Sequence, residues 1–135
     1  MKEHKFGKRS KENLSGVKPE VVKLCKKALR YSTVDFSIID GLRTPQQQRE
    51  MYDAGKSELD GTNKISDHQT GYAVDVIPVV KGNVWDTEDL EVRSAWLELY
   101  RAFMLAGRKL GLNLEFGLGY DIAGCRDFPH ISVKH

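Results

Sequence analysis

The chain has 135 residues, of which 40% are hydrophobic and 30% are charged, and its formal net charge is +2. This length fits one compact domain over residues 1–135, and the composition is typical of a folded protein rather than a disordered one. The longest apolar run is far shorter than a bilayer span, so we expect no membrane insertion. The charge balance favours no class of partner, and we expect a monomer.

The first half of the chain predicts a helix, a strand and a second helix. Apolar residues recur at helical spacing over residues 18–31, with a proline in the first turn. Residues 34–39 are rich in β-branched and aromatic side chains and predict a strand that ends in an Asp-Gly turn. Thr44 then predicts the N-cap of a short helix that closes at Gly55.

The second half begins with a polar loop over residues 55–67, which is long enough to favour a functional role in so small a domain. The elements predicted after it are a strand at 72–79, a long helix from Thr87 to Gly111, and short strands at 112–116 and 130–133. This order of elements predicts an α+β domain.

The amino-terminal region is basic and lacks the apolar stretch of a secretory signal. We therefore expect the chain to stay in the cytoplasm until released, with Cys25 and Cys125 as reduced thiols. The basic residues are typical of a solvated helix face and a frayed end, although they would also attract an anionic polymer. They lack interleaved aromatic residues, and no zinc-finger or helix-turn-helix spacing is evident, so no nucleic-acid partner is expected.

His68 and Asp75 form the first candidate pair for a metal site. Asp75 lies within an apolar strand, where an aspartate is unfavourable unless it is paired or bound to a metal. Strand alternation separates it from Val74 and Val76 and directs it toward an interior or a cleft. By themselves these two residues favour a structural Asp–Arg pair or a simple edge position slightly over a metal site.

His130 and Asp127 form the second candidate pair, in the sequence DFPHISV. Pro129 favours an extended residue before it, so the two side chains can flank one turn and face one cavity. A third ligand beside a carboxylate base suits metal-assisted hydrolysis. A capping aspartate beside a hydrogen-bonded histidine remains the alternative. His4 and His135 lie near the ends of the chain and are interpreted as incidental.

Three motifs resemble the zinc D,D-peptidase (VanY-like) family. S-x-H-x-x-G-x-A-x-D spans Ser66 to Asp75, and an acidic residue three positions before His130 completes the pattern near the end of the chain. FGKRSKENLSGVKPEVVKL and DGLRTPQQQ resemble the opening and the GxRTxxxQ segment of its phage branch, the L-alanyl-D-glutamate peptidase endolysins. The resemblance implies a Hedgehog/DD-peptidase-like fold, in which about three helices pack on a mainly antiparallel sheet.

The resemblance also implies roles for individual residues. His68, Asp75 and His130 would bind Zn²⁺. Asp127, where several family members have glutamate, would be the general base, and Arg43 would donate to the scissile carbonyl and the oxyanion. Roles at the substrate site fall on two further residues. Ser66 would orient a ligand or the substrate, and Trp85 would line a groove or else pack at the start of the long helix.

The function that the resemblance implies is hydrolysis of the L-alanyl-D-glutamate bond in peptidoglycan stem peptides, by a phage endolysin that a holin releases from the host cytoplasm. Two alternatives stay open. One is a D-alanyl-D-alanine carboxypeptidase of cell-wall metabolism. The other is a non-catalytic, zinc-stabilised module that binds the wall.

Overall fold

The computed structural model describes residues 4–117 and 129–135. Its described elements are α1 (Lys8–Asn13), α2 (Pro19–Tyr31), β1 (Phe36–Asp40), α3 (Pro45–Asp53), α4 (Asp67–Thr70), β2 (Ala73–Pro78), α5 (Leu90–Leu110), β3 (Leu114–Phe116) and β4 (His130–Val133). The expected α+β architecture is confirmed. The short helices α1 and α4 were not predicted from the sequence.

The four described strands form one sheet in the order β1-β2-β4-β3, and each neighbouring pair is antiparallel. Alternate residues of the two central strands, among them Val74, Val76 and Ile131, are fully or almost fully buried in the core. Helices α2 and α5 pack against each other, and α5 also contacts β2. One face of the sheet therefore packs against the core, and the opposite face is available to polar side chains.

The long helix α5 begins at Leu90 rather than at Thr87. Asp89 is its N-cap, because its carboxylate accepts the backbone N–H groups of Glu91 and Val92 at 2.9 and 3.4 Å. The helix ends at Gly111, whose φ of 69° is the left-handed conformation that glycine adopts readily. Trp96 of this helix is fully buried, as expected for a core residue.

Trp85 lies just before α5 and contacts the helix rather than the polar face of the sheet. Its ring centroid is 5.8 Å from that of Trp96, and the Trp96 Nε1–H donates to the Val84 carbonyl at 2.8 Å. About half of the Trp85 side chain is exposed. These contacts hold the segment that enters α5.

Helix α1 corrects the interpretation of the amino-terminal region as a frayed end. Its Ser10 is buried, and the Ser10 hydroxyl accepts the Ile38 N–H at 3.0 Å. The Asn13 side-chain amide donates to the Ile38 carbonyl at 2.7 Å. Because β1 is an edge strand, its outward N–H and C=O groups need such partners, and α1 supplies them.

Cys25 is fully buried in α2, and burial raises the pKa of its thiol. It is a free cysteine, as expected, and the raised pKa keeps it protonated and unreactive. Cys125 lies outside the described residues. Among residues 4–117 and 129–135, none of the helices combines the length and the apolar character that a bilayer span requires.

Gly41, in the turn after β1, lies at a position where a side chain would not fit. A Cβ added there would lie 1.8 Å from the Asn13 carbonyl oxygen, so α1 or the turn would have to move. We expect Gly41→Ala to lower the free energy of unfolding by about 1–3 kcal/mol, measured by denaturant unfolding. Gly7→Ala is the matched control, because its added methyl meets nothing within 4 Å. Equal stability of the two variants would show that α1 does not need this close approach.

Candidate metal centre

His68 lies on the one-turn helix α4, which follows the polar loop and places the His68 side chain at the polar face of the sheet. Ser66 is the N-cap, and Gln69 completes a capping box with it. Gly71 ends the helix with a φ of 83°, in the left-handed region. His68 is only 2% exposed, so its ring is held in one place.

Ser66 acts on His68 through the backbone in this structure. Its hydroxyl accepts the His68 N–H at 3.2 Å, and its own N–H donates to the Gln69 side chain at 3.0 Å. Orientation of a ligand residue was one of the two roles that the sequence allowed for Ser66. That role and the second one, contact with a substrate, both stay predictions.

Asp75 and His130 come from neighbouring strands and face each other across the sheet. Their Cα atoms are register partners in the antiparallel pair of β2 and β4. Val74 and Val76, on either side of Asp75, point into the core, so strand alternation directs Asp75 to the opposite face, as predicted. The two residues are separated by 55 positions along the chain and are brought together only by strand pairing.

Three potential ligand atoms converge where α4, β2 and β4 meet. His68 Nε2 lies 3.2 Å from Asp75 Oδ1 and 3.2 Å from His130 Nδ1, and the remaining separation, between His130 Nδ1 and Asp75 Oδ1, is 3.5 Å. We call His68, Asp75 and His130 the ligand cluster. We searched the described residues for histidine, cysteine, aspartate and glutamate side chains whose ligand atoms lie close enough together to hold a metal ion. The ligand cluster is the group that meets this condition.

The hydrogen bond at the far side of the His68 ring fixes which nitrogen is available to an ion. His68 Nδ1 lies 2.9 Å from the Gly41 carbonyl oxygen, which can only accept, so Nδ1 carries the proton. Nε2 is left with its lone pair directed into the ligand cluster. Backbone carbonyls commonly orient metal-binding histidines in this way.

The electrostatic surroundings keep Asp75 ionised. Burial raises the pKa of its carboxyl group, but the adjacent imidazole groups of His130 and His68 outweigh burial and hold that pKa well below its usual range. A carboxylate in this state offers a full negative charge to a cation.

Arg43 is a buried cation beside the ligand cluster. Its Nε and one terminal nitrogen donate to Asp40 Oδ2, and the other terminal nitrogen donates to Gln48 Oε1 at 2.7 Å. A terminal nitrogen also lies 3.8 Å from Asp75 Oδ2, and the Arg43 N–H donates to the His68 carbonyl at 2.8 Å. The guanidinium group is therefore held between the end of β1, helix α3 and the ligand cluster.

A cavity of about 640 Å³ opens over the ligand cluster. Arg43, Ser66 and the ligand cluster line one side of it, and residues 55–59 of the long polar loop line another. Trp85 is not among the lining residues, so its proposed substrate contact finds no support in this cavity. Asp127, the expected general base, lies outside the described residues.

Sequence reasoning missed two side chains that hold Arg43. Asp40 was interpreted only as part of a turn, and Gln48 as one of three consecutive helix residues of the same type. Gln48 is fully buried, whereas its neighbours Gln46 and Gln47 are exposed. The three identical residues of QQQ do not themselves show which of them is buried. The N-cap at Thr44 sets the helical phase, and that phase distinguishes Gln48 from the other two.

The chain is similar to known proteins in sequence and in fold. Residues 2–130 match the family model of the phage L-alanyl-D-glutamate peptidase. The chain is 40% identical over 120 residues to the L-alanyl-D-glutamate peptidase of Escherichia phage T5, which covers 89% of this chain and 84% of that protein. It is also similar to the crystal structure of the L-Ala D-Glu endopeptidase ChiX of Serratia marcescens, with a TM-score of 0.76, 35% identity, and coverage of 98% of this chain and 92% of that one.

The ligand cluster predicts saturable binding of one divalent metal ion. Because each member contributes one atom, His68→Ala or His130→Ala should weaken binding by more than the roughly 10- to 100-fold seen when only a supporting hydrogen bond is removed. Isothermal titration of the metal-stripped protein measures this affinity. His4→Ala removes a histidine distant in sequence and is the matched control. Unchanged affinity in His68→Ala would contradict the assignment.

Proposed function

Because the chain belongs to the phage L-alanyl-D-glutamate peptidase family, we propose that it is an endolysin that hydrolyses the L-alanyl-D-glutamate bond of peptidoglycan stem peptides. The observation that carries this proposal is the convergence of His68, Asp75 and His130 under a cavity large enough for part of a peptide. A ligand cluster below a cavity is the arrangement that metal-assisted hydrolysis requires.

We propose Zn²⁺ as the metal ion. Two histidines and one carboxylate are a common ligand set of catalytic zinc sites, which leave a further coordination position open. Ligands at the usual zinc bond lengths in tetrahedral geometry lie about 3.3 Å apart. The three separations of 3.2, 3.2 and 3.5 Å are close to that value. When bound, the ion supplies a Lewis acid that polarises a carbonyl and makes water more acidic.

We propose that Arg43 donates to the scissile carbonyl and to the oxyanion that develops on it. A guanidinium group has five N–H donors, and three of them are used by Asp40 and Gln48. Within residues 4–117 and 129–135 no hydrogen bond uses the other two, although one terminal nitrogen lies 3.8 Å from Asp75 Oδ2, and Arg43 lines the cavity. Because the group is buried and fixed by its partners, it needs little rearrangement as negative charge forms, which is the requirement for an oxyanion donor.

We propose that Asp127 is the general base. It lies three residues before His130, so it is close to the ligand cluster along the chain. A carboxylate there takes a proton from the attacking water and passes it to the leaving amine. This role is what distinguishes a hydrolase from a module that only binds the wall, since binding needs no base.

The proposed site of action is the peptidoglycan layer. Passage through a membrane opened by a holin is the route of release that we propose, and the expected monomeric state stays a prediction. The family membership supports action at the wall.

The bond cleaved can be identified by digesting purified peptidoglycan and analysing the products by mass spectrometry. We expect fragments with a new D-glutamate amino terminus. Loss of terminal D-alanine alone would instead show a carboxypeptidase. Absence of any product from the zinc-loaded protein would show a binding module.

If Asp127 is the general base, its substitution should slow hydrolysis without weakening metal binding. Asp127→Ala should lower kcat by about 10²- to 10⁴-fold, the usual contribution of a general base, and should leave zinc affinity unchanged. Rates of product release from peptidoglycan and calorimetric zinc titration measure the two quantities. Asp53→Ala changes an exposed aspartate on α3 and should leave both unaltered. Full activity in Asp127→Ala would remove Asp127 from the mechanism.

A further inference from the structure

Gln48 makes three hydrogen bonds while its side chain is fully buried. Its Oε1 accepts from Arg43 at 2.7 Å. Its Nε2 donates to the Ser57 hydroxyl at 2.9 Å and to the Leu59 carbonyl at 2.7 Å. One amide therefore joins the proposed oxyanion donor to the loop on the other side of the cavity.

The orientation of this amide follows from the chemistry of its partners. A guanidinium group can only donate, so it must face Oε1, and the Leu59 carbonyl can only accept, so it must face Nε2. A carboxylate at position 48 would satisfy Arg43 but would have no donor for Leu59. A methionine would satisfy neither. Glutamine is the uncharged side chain of this length that serves both sides.

The segment that Gln48 holds forms part of the cavity lining. We call residues 55–59 the wall segment, and all five of them line the cavity over the ligand cluster. The Ser57 hydroxyl also accepts the Leu59 N–H at 3.1 Å, which folds the wall segment into a turn around the Gln48 amide. The wall segment has no helix or strand of its own. Backbone bonds from Gly55 and Lys56 to the end of α3 fix its start, and the side-chain bonds to Gln48 fix residues 57–59.

The chain just beyond the wall segment packs directly on Gln48. Gly61 is buried with a φ of 86°, and a Cβ there would lie 3.2 Å from both Cβ and Cγ of Gln48. The Gly61 carbonyl accepts from the Gln69 side chain at 3.0 Å. The polar loop is thus attached at one point to Gln48 and at another to the helix that carries His68.

We infer that Gln48 is a positioning residue, which holds Arg43 and the wall segment in one arrangement so that the oxyanion donor and the substrate-binding wall keep a fixed separation. This inference rests on the proposed function for its kinetic consequences. Its structural consequence, an ordered wall segment, does not depend on any activity. Removal of the amide should therefore affect both kcat, through Arg43, and KM, through the wall segment.

The test compares Gln48→Met with Ser57→Ala. Gln48→Met loses both connections, so we expect kcat to fall by about 10- to 100-fold, because small displacements of a catalytic donor have large effects. KM for a stem-peptide substrate should rise as well. Ser57→Ala removes one of the two bonds from Gln48 to the wall segment, together with the bond from the Leu59 N–H inside that segment, and leaves Arg43 untouched. KM should therefore rise by about threefold with kcat nearly unchanged. Gln46→Met is the matched control at an exposed position of the same helix.

Two further measurements separate positioning from general destabilisation. In the double variant, Ser57→Ala should add little to the KM effect of Gln48→Met, because both changes release the same segment. Amide hydrogen exchange should become faster across residues 55–61 in Gln48→Met, while α5 and β2 keep their protection. The zinc affinity of Gln48→Met should equal that of the parent protein.

The inference is overturned if Gln48→Met and the control Gln46→Met have the same kcat and the same KM. It is also overturned if the effects of Gln48→Met and Ser57→Ala on KM are additive in the double variant. Unchanged exchange across residues 55–61 would overturn it as well. If the parent protein releases no stem-peptide product, the proposed function fails instead. The exchange experiment then still decides whether Gln48 orders the wall segment.

Discussion

The buried charge of Arg43 is the constraint on which the rest of the site depends. A guanidinium group removed from water must be paired, because an unpaired buried charge is strongly destabilising. Asp40, Gln48 and Asp75 provide that pairing, and they come from β1, α3 and β2. The backbone of Arg43 also binds the carbonyl of His68. Satisfying this one cation therefore brings the end of the edge strand, two helices and the ligand cluster into a single arrangement.

The ligand cluster is formed by two kinds of local structure that leave little freedom. A cross-strand pair fixes Asp75 and His130, because antiparallel register leaves no choice of neighbour. A capped single turn of helix fixes His68, and the Gly41 carbonyl fixes its ring. Since the ligand atoms already lie 3.2–3.5 Å apart, the protein gives up little further conformational entropy on binding an ion.

Much of this arrangement could be predicted from sequence where a periodic or capping signal exists. The apolar pattern gave α2 and α5, Thr44 gave the start of α3, and strand alternation gave the direction of Asp75. Helix α4 was missed because one turn has no periodicity, although Ser66 and Gln69 have the spacing of a capping box. The helical phase set by Thr44 distinguishes Gln48 from Gln46 and Gln47. That phase does not show that Arg43 is buried against Gln48, so the partners of Arg43 were not predicted. Asp127 stays a prediction from the resemblance.

The position of β4 in the sheet has a consequence for the order in which the protein matures. β4 follows β3 in the chain, yet it lies between β2 and β3 and hydrogen-bonds to both. A nascent chain that has left the ribosome only as far as β3 lacks His130, and it also lacks β4, the partner of β3 among the described strands. The three-ligand site therefore cannot form before β4 has been synthesised. In a proposed wall-degrading enzyme, this delays assembly of the metal site until translation has passed β4.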